Sequence, residues 1–414
     1  MRLSTLQVFH TGVQSMQRID ESMRKTQENV ASGKKFNTPA DDPVASTRIL
    51  QLNQDIAVRE QYQKNITTAT NRLSLEESIL SGVSDTLQRV RELTLQTGDG
   101  SLSASDRRFL ATEISVRLDE VLGMLNSRDT NGEYIFSGFK GDTIPFVNGG
   151  DIGFQFQGDE GKRMLQIASS TFIQEKDSGK PIFVEVEAAS NTFFTSASPR
   201  NTAVPPARIT VGQVVDQEAF DQFYPEDAYI EFQPIEDVSP PVSNFTVRRR
   251  SDDRVLGGLL NRPYVEGQDI EFNGVAVKIK GSPDPGDSFE VVSSNKQSVL
   301  TTLVRLVDGV ESADDTSVGQ QQIADLLDMT LQNLDNAENN ILEARSRIGG
   351  RLNTVESIQA LHADVDGASR TVLSQLQDLD FAEAISRLSL ESFILEAAQK
   401  SFARISSISL FSRL

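Results

Sequence analysis

From Leu6 the apolar residues recur as Phe9, Val13, Met16, Met23 and Val30, at three-and-four spacing, with Asp20 and Gln27 filling skipped positions of the same register. That spacing predicts a helix carrying one narrow apolar seam, as in a coiled coil. A second register starts at Ala45 and runs through Ile49, Leu52 and Ile56. After a slip near Arg59 to Tyr62 it resumes at Ile66, Ala69, Leu73, Leu80, Val83, Leu87 and Val90. Pro43 to about Gln96 therefore reads as one helix, roughly 80 Å long at 1.5 Å per residue. Gly98 and Gly100 end it, Ser105 or Asp106 is placed to cap the next helix, and Leu110, Ile114, Leu118, Val121 and Leu125 form that helix's apolar face.

Beyond the third helix the texture changes. Asn131-Gly132 is a turn signal, and the aromatic and β-branched run Tyr134 to Phe136 follows it. From about 146 to 297, short alternating runs such as KPIFVEVEA, DAYIEFQPI and QDIEFNGVAVKIKG are separated by Pro, Gly, Asn and Asp, which predicts strands. NTAVPPA and the SPP before Val242 read as loops. Helical periodicity returns near Ser298 and continues through Val304, Val307, Ile323, Leu327, Leu334, Ile341, Ile348, Leu352, Val355 and Ile358. Gly367 separates this stretch from a last segment whose seam is Phe381, Ile385, Leu388, Leu395, Ala398, Phe402 and Ile405. The expected fold class is α+β: long terminal helices paired in a coiled-coil or helical bundle, with a β-rich domain inserted in the middle. The expected boundaries are 1–42, 43–145, 146–297, 298–366 and 367–414.

Composition narrows the function. The chain has 414 residues, enough for two or more domains, and its 7% aromatic content without Trp implies lean packing. Forty basic against 59 acidic residues give a net charge of -19, which repels nucleic-acid phosphates. Residues 151–296 hold 23 acids against 14 bases, whereas residues 1–40 hold 3 against 6 and the last 44 hold 5 against 4. The ends are thus spared the self-repulsion that keeps the middle soluble. With no Cys, neither a disulfide nor a thiolate metal site can form. The start, MRLSTLQVFHTGVQSMQRID, has no apolar core of an ordinary cleaved secretory signal, and no run of about 18 apolar residues suggests a membrane span. His10 and His362 are the only histidines, both in helical stretches, and nucleotide-binding, zinc-protease and serine-hydrolase motifs are absent. An enzyme would have to run on carboxylates alone.

The segment SGKKFNTPADDPVAS, Ser32 to Ser46, holds the most conspicuous carboxylate pair, Asp41 and Asp42. A divalent-cation or acid/base site is one reading, but it lacks further oxygen ligands at suitable spacing. A capping reading accounts for more neighbours. Asp42 is placed as an N-cap with Pro43 at the first helical position, Gly33 closes the preceding helix in the left-handed conformation, Lys34 and Lys35 suit its negative end, and Pro39 stiffens the crossing. Gly33, Pro39, Asp41, Asp42 and Pro43 are therefore expected to form an interdomain joint. The terminal segments carry apolar residues on and off their seams with no β layer nearby to cover them. Leu3, Leu6, Phe9, Val13, Met16, Met23, Val30, Leu388, Phe393, Leu395, Phe402, Ile405, Ile408, Leu410 and Phe411 are expected to form an assembly interface. The run Arg248 to Arg250 invites a phosphate-binding reading, against which Asp252 and Asp253 argue for a solvated strand end.

SGKKFNTPADDPVAS resembles the N-terminal signature of the flagellin superfamily. Its Pro43-Val44 form is similar to the hook-associated protein 3 branch rather than to filament flagellin, which usually has small residues after the paired Asp. NSRDTNGEYIFSGFKGDTIPF, GVAVKIKGSPDPGDSFEV, ARSRIGGRLNTVES and DLDFAEAISRLSLESFILEAAQKSFARISSISLFSRL resemble further segments of that branch, in the same order. The likeness covers about 150 residues at each end and, in the middle, the exit segment alone. It implies an extracellular structural protein, without enzymatic activity or cofactor, that joins the flagellar hook to the flagellin filament. Its partners would be copies of itself in a ring, hook-associated protein 1, flagellin, and a cytosolic export chaperone with the type III export apparatus. It would bind no nucleic acid, enter no membrane and be exported without a cleaved signal. By the same resemblance, Leu3 to Val30 and Leu373 to Leu414 would line a central channel. Pro43 to about Pro145 and Ser298 to about Leu361 would form the next layer, with Tyr134 to Phe139 in a hairpin and the β region facing solvent. The alternatives are a flagellin-type filament subunit and, more remotely, a carboxylate or metal enzyme housed in the middle domain.

Overall fold

The computed structural model describes residues 5–149 and 153–411, without the side chains of Thr5, Leu6, Val8 and residues 405–411. Among the described residues there are seven α-helices: α1 Thr5–Ser32, α2 Pro43–Thr97, α3 Ala104–Leu125, α4 Gln217–Phe223, α5 Val299–Ser312, α6 Ser317–Gln377 and α7 Phe381–Phe411. The strands lie between α3 and α5. They are β1 Phe146–Asn148, β2 Phe154–Phe156, β3 Met164–Gln166, β4 Phe172–Gln174, β5 Glu187–Ala197, β6 Arg208–Ile209, β7 Gln213–Val214, β8 Ala228–Gln233, β9 Asn244–Arg249, β10 Arg262–Pro263, β11 Asp269–Phe272, β12 Val275–Lys280 and β13 Ser288–Lys296. This is the α+β arrangement expected, helical at both ends and β in the middle. Two compact units result, one made of residues 1–65 with 356–414, the other of residues 66–355. The division cuts through α2 and α6 rather than at the ends of helices.

In the first unit α1 and α7 run antiparallel. The Phe9 and Phe402 rings lie 4.9 Å apart, Ser22 Oγ donates to Glu391 Oε1 at 2.7 Å, and Gly33 faces Phe381, so partners climb one helix as they descend the other. The start of α2 and the end of α6 pair in the same sense. Arg370 reaches Glu60 at 3.1 Å, and the Tyr62 ring stacks on His362 at 5.7 Å.

The second unit has two apolar cores. One is helical, formed by Leu73, Leu80, Leu87, Ile114, Leu118, Leu303, Leu306, Leu334, Ile341 and Ile348 from α2, α3, α5 and α6. The other belongs to the β region. An antiparallel sheet ordered β10-β9-β8-β13-β5 and a second ordered β11-β12-β6, with β7 on β12, enclose Phe220, Ile230, Phe232, Val247, Val277, Ile279 and Phe289. The β11–β12 turn is Asn273-Gly274, both at positive φ (46° and 79°), the chemistry a two-residue hairpin requires.

Several local expectations need correction. Ser103, not Ser105 or Asp106, caps α3; Asp106 is the third helical residue and closes a reciprocal capping box with it. The run Tyr134 to Phe136 is not a strand. Four successive side chains, Tyr134 to Ser137, are buried, which two-sided alternation cannot provide, so Ile135–Ser137 form a 3-10 turn and the expected hairpin shrinks to one bridge, Arg128 to Tyr134. KPIFVEVEA begins as a π-helical turn at Lys180–Val184, because Pro181 cannot donate to a ladder and Ile182 and Phe183 both enter the helical core. That core also takes in Phe146 and Val186, so the β-core proper starts only at β5. The periodicity read as continuous from Ser298 breaks at residues 313–316, where Thr316 Oγ1 accepts the Gly319 N–H at 3.1 Å and caps α6. Gly367 lies inside α6 and separates nothing; one glycine in an exposed helical position costs about 1 kcal/mol relative to Ala, too little to end a long helix.

Candidate assembly surface and its joint

The two terminal helices hide little of their apolar surface against each other. Val13, Met16, Met23 and Val30 on α1, and Leu388, Leu395 and Phe402 on α7, are half-buried, while Ala384 is the one apolar residue among the described α7 side chains that is buried, at 6% exposure. Phe9 remains 48% exposed despite its tilted ring contact with Phe402. Two helices cover one side of each other, and these helices carry apolar residues on more than one side. Leu390, Phe393 and Ile394 point away from the seam at 58%, 68% and 41% exposure, a second ridge at three-and-four spacing. Gly12 permits the close approach of α1 and α7, since a Cβ there would meet the Phe402 ring at 3.0 Å. Leu3 lies outside the described residues, as do the side chains of Leu6, Ile405, Ile408, Leu410 and Phe411.

The segment from Ser32 to Ser46 is a set of hydrogen-bonded turns. Gly33, at φ 69°, ends α1 in the left-handed region, as expected. Asp42 Oδ1 accepts the Val44 and Ala45 N–H groups at 3.1 and 2.9 Å, with Pro43 at the first helical position, so the expected N-cap is present. Asp41 turns the other way: Oδ2 accepts from the Thr38 N–H and hydroxyl at 3.1 and 3.0 Å, and Oδ1 pairs with Lys25 Nζ at 2.7 Å. The Lys25 hydrogen bond, then those from Thr38, hold its carboxyl down to about 2. Pro39 is exposed in the intervening turn. Both carboxylates are thereby occupied by local partners.

A second crossing lies against the first, and nothing in the Ser32–Ser46 pattern announces it. The Lys35 N–H donates to Gln377 O at 2.8 Å and the Leu379 N–H to Gly33 O at 2.9 Å, bracketing an antiparallel bridge between Lys34 and Asp378. Lys35 Nζ adds a bond to Gln375 O at 2.5 Å. Asp380 then caps α7, accepting from Ala382 and Glu383 N–H at 2.9 and 3.2 Å. The sequence signal for this stop and restart is Asp378-Leu379-Asp380 before Phe381, an Asp N-cap ahead of an apolar periodic run.

Elsewhere the candidate chemistry is absorbed by packing. His10 sits edge-on to Phe9 at 6.3 Å and His362 stacks on Tyr62. Arg249 and Arg250 pair with Asp252 and Glu290 at 3.8 and 3.3 Å, and Arg248 donates to Asp253 O at 3.0 Å, so local acids and a carbonyl engage the arginine run. Among the described residues no group of three or more His, Asp or Glu is placed to hold a metal ion, and no helix is long and apolar enough to cross a membrane.

The family model for the bacterial flagellin N-terminal helical region matches residues 3–140. The flagellar hook-associated protein 3 of Salmonella typhimurium is 24% identical over 413 residues, covering 99% of each chain. That of Escherichia coli is 25% identical over 411 residues with the same coverage. A crystal structure of hook-associated protein 3 from Legionella pneumophila, 28% identical, superposes with a TM-score of 0.53 over 79% of this chain and 98% of its own. The likeness thus runs through the middle region, where the sequence motifs matched only an exit segment. By the order of its motifs, its helical ends and this end-to-end similarity, the chain resembles the hook-associated protein 3 branch of the flagellin superfamily.

Proposed function

We propose that this chain is a structural component of the bacterial flagellum that joins hook to filament and makes or breaks no covalent bond. The observation that carries this reading is alignment over 99% of the length of two hook-associated protein 3 chains. The first unit supports it physically. Its helices pair along one side and leave Phe9, Phe393 and Leu390 to solvent, a surface that neighbours would cover at a gain of roughly 1.5–3 kcal/mol per large side chain buried. In the assembled junction the α1–α7 pair contacts copies of the same chain in a ring, and the ring meets hook-associated protein 1 on one side and flagellin on the other. The paired crossings at Gly33–Pro43 and Gln377–Asp380 form the joint between that inner pair and the α2–α6 pair. The protein works outside the cell, reaching the junction through the flagellar export apparatus with an export chaperone.

Deletion of the gene, followed by electron microscopy and assay of the medium, tests the reading. Hooks without filaments and shed unpolymerised flagellin are expected, with restoration by the intact gene. Normal motile filaments in the deletion strain contradict it, and long filaments formed by the purified protein alone assign it instead to the filament subunits.

A further inference from the structure

A buried charge cluster in the second unit lies where α2, α6, the turn after α3 and the end of β4 meet, and the junction role leaves it unexplained. Arg72 on α2 reaches Asp129 at 3.0 Å, Glu133 at 3.1 Å, and Glu175. Arg163 pairs with Glu133 at 2.9 Å and Glu175 at 3.3 Å. Lys176 Nζ donates to Tyr134 O at 3.1 Å and lies 3.8 Å from Glu133. On α6, Arg351 Nη2 donates to both oxygens of Asp177 at 2.8 Å. Four cations therefore meet four carboxylates, although Arg72 Nε and Arg351 Nη1 are buried without a hydrogen-bond partner among the described residues.

Glu76, one helical turn after Arg72, is a fifth acid with no ion pair among the described residues. It is fully buried, at 0% exposure. Its Oε1 accepts the Asp177 N–H at 3.1 Å, and its Oε2 has no hydrogen-bond partner among the described residues. An ionised carboxylate in that position would bury an uncompensated charge beside the Asp177 carboxylate; a neutral carboxyl leaves the cluster balanced. We infer that the Glu76 carboxyl is a proton-operated latch, seating the Glu175–Asp177 backbone on α2 and α6 while it carries a proton and weakening that seat when it ionises.

The electrostatics agree in sign. Burial first, then the Asp177 carboxylate, push Glu76 up to about 8 from the ordinary 4.5, against the smaller pull of the Asp177 N–H, Arg351 and Lys176. The native chain therefore holds this proton more tightly than the unfolded chain, and stability falls as pH rises from about 4.5 to about 8, then levels off. Burial also pulls Lys176 below the usual lysine range, and the Glu76→Gln comparison removes its share because Lys176 is common to both proteins.

Denaturant unfolding of the full chain, wild type against Glu76→Gln, tests this between about pH 5 and pH 9. The amide keeps the shape and a donor but cannot ionise. The unfolding constant of the wild type should rise relative to the variant by roughly tenfold per pH unit up to about pH 8, and run parallel above it. Parallel curves across the whole range overturn the latch. Should Glu76→Gln fail to fold, the infrared spectrum of the wild type decides: a neutral carboxyl C=O stretch present at pH 7 and gone by about pH 9 supports the inference, and carboxylate bands alone at pH 7 overturn it.

Discussion

Asp41 and Asp42 are adjacent residues with separate duties. Asp42 closes the open N–H groups at the start of α2, whereas Asp41 ties the preceding turn to Lys25 on α1. The capping duty is legible in the sequence because Asp before Pro, at the head of a periodic run, supplies both the acceptor and the fixed φ that a helix start requires. The ion pair is not, because Lys25 is distant in sequence and reaches Asp41 only after Gly33 has turned the chain. Substituting Asp42→Ala removes the acceptor of two N–H groups and should lower the stability of the α2 start by about 1 kcal/mol, while Asp42→Ser should recover most of it. Denaturant unfolding measures the difference; equal midpoints for all three proteins would show that water satisfies those groups as well as the carboxylate does.

At the scale of elements, what the sequence disclosed and what it hid divide along one line. Long helices are legible because their seams repeat: α2 ends at Thr97 against an expectation of about Gln96, and most expected seam residues of α1 and α7 are half-buried, although Phe9, Phe381 and Ile385 of that seam are exposed. Short elements whose form depends on what lies above them are not. Ile135-Phe136 and Ile182-Phe183 have strand-like composition, yet both enter a helical core that takes adjacent side chains, and burial overrides local preference there. The same blindness hid the backbone bridge between the two crossings, since hydrogen bonds from Lys35 to Gln377 leave no mark in residue type. Lys35→Pro removes that donor while leaving the capping residues intact, and should cost about 0.5–1.5 kcal/mol in the first unit. Hydrogen exchange at the Leu379 amide, which donates to Gly33 O, should quicken relative to Lys35→Ala. Unchanged exchange would mean that the two crossings turn independently.

For the whole molecule, the contrast between its two units carries the functional argument. Residues 66–355 bury Phe136, Phe183, Phe220, Phe232 and Phe289 nearly completely, whereas residues 1–65 and 356–414 bury no large aromatic side chain among those described. The second unit has the interior of a self-sufficient fold; the first has the half-covered seams of a part awaiting neighbours. Phe393 separates these ideas, because it is 68% exposed and lies off the α1–α7 seam. Phe393→Asp should leave the isolated chain's unfolding midpoint within about 0.5 kcal/mol of the wild type, as an exposed position allows. In cells carrying it as the sole copy, filaments should be absent or short, since a charge would enter a surface that neighbours desolvate. Phe402→Ala should act in the opposite order, weakening the isolated helix pair through loss of the Phe9 ring contact before any partner is added. If Phe393→Asp cells swim on normal filaments, the outer ridge of α7 faces solvent in the assembly as it does alone, and the contacts between copies must be built from the other faces of the pair.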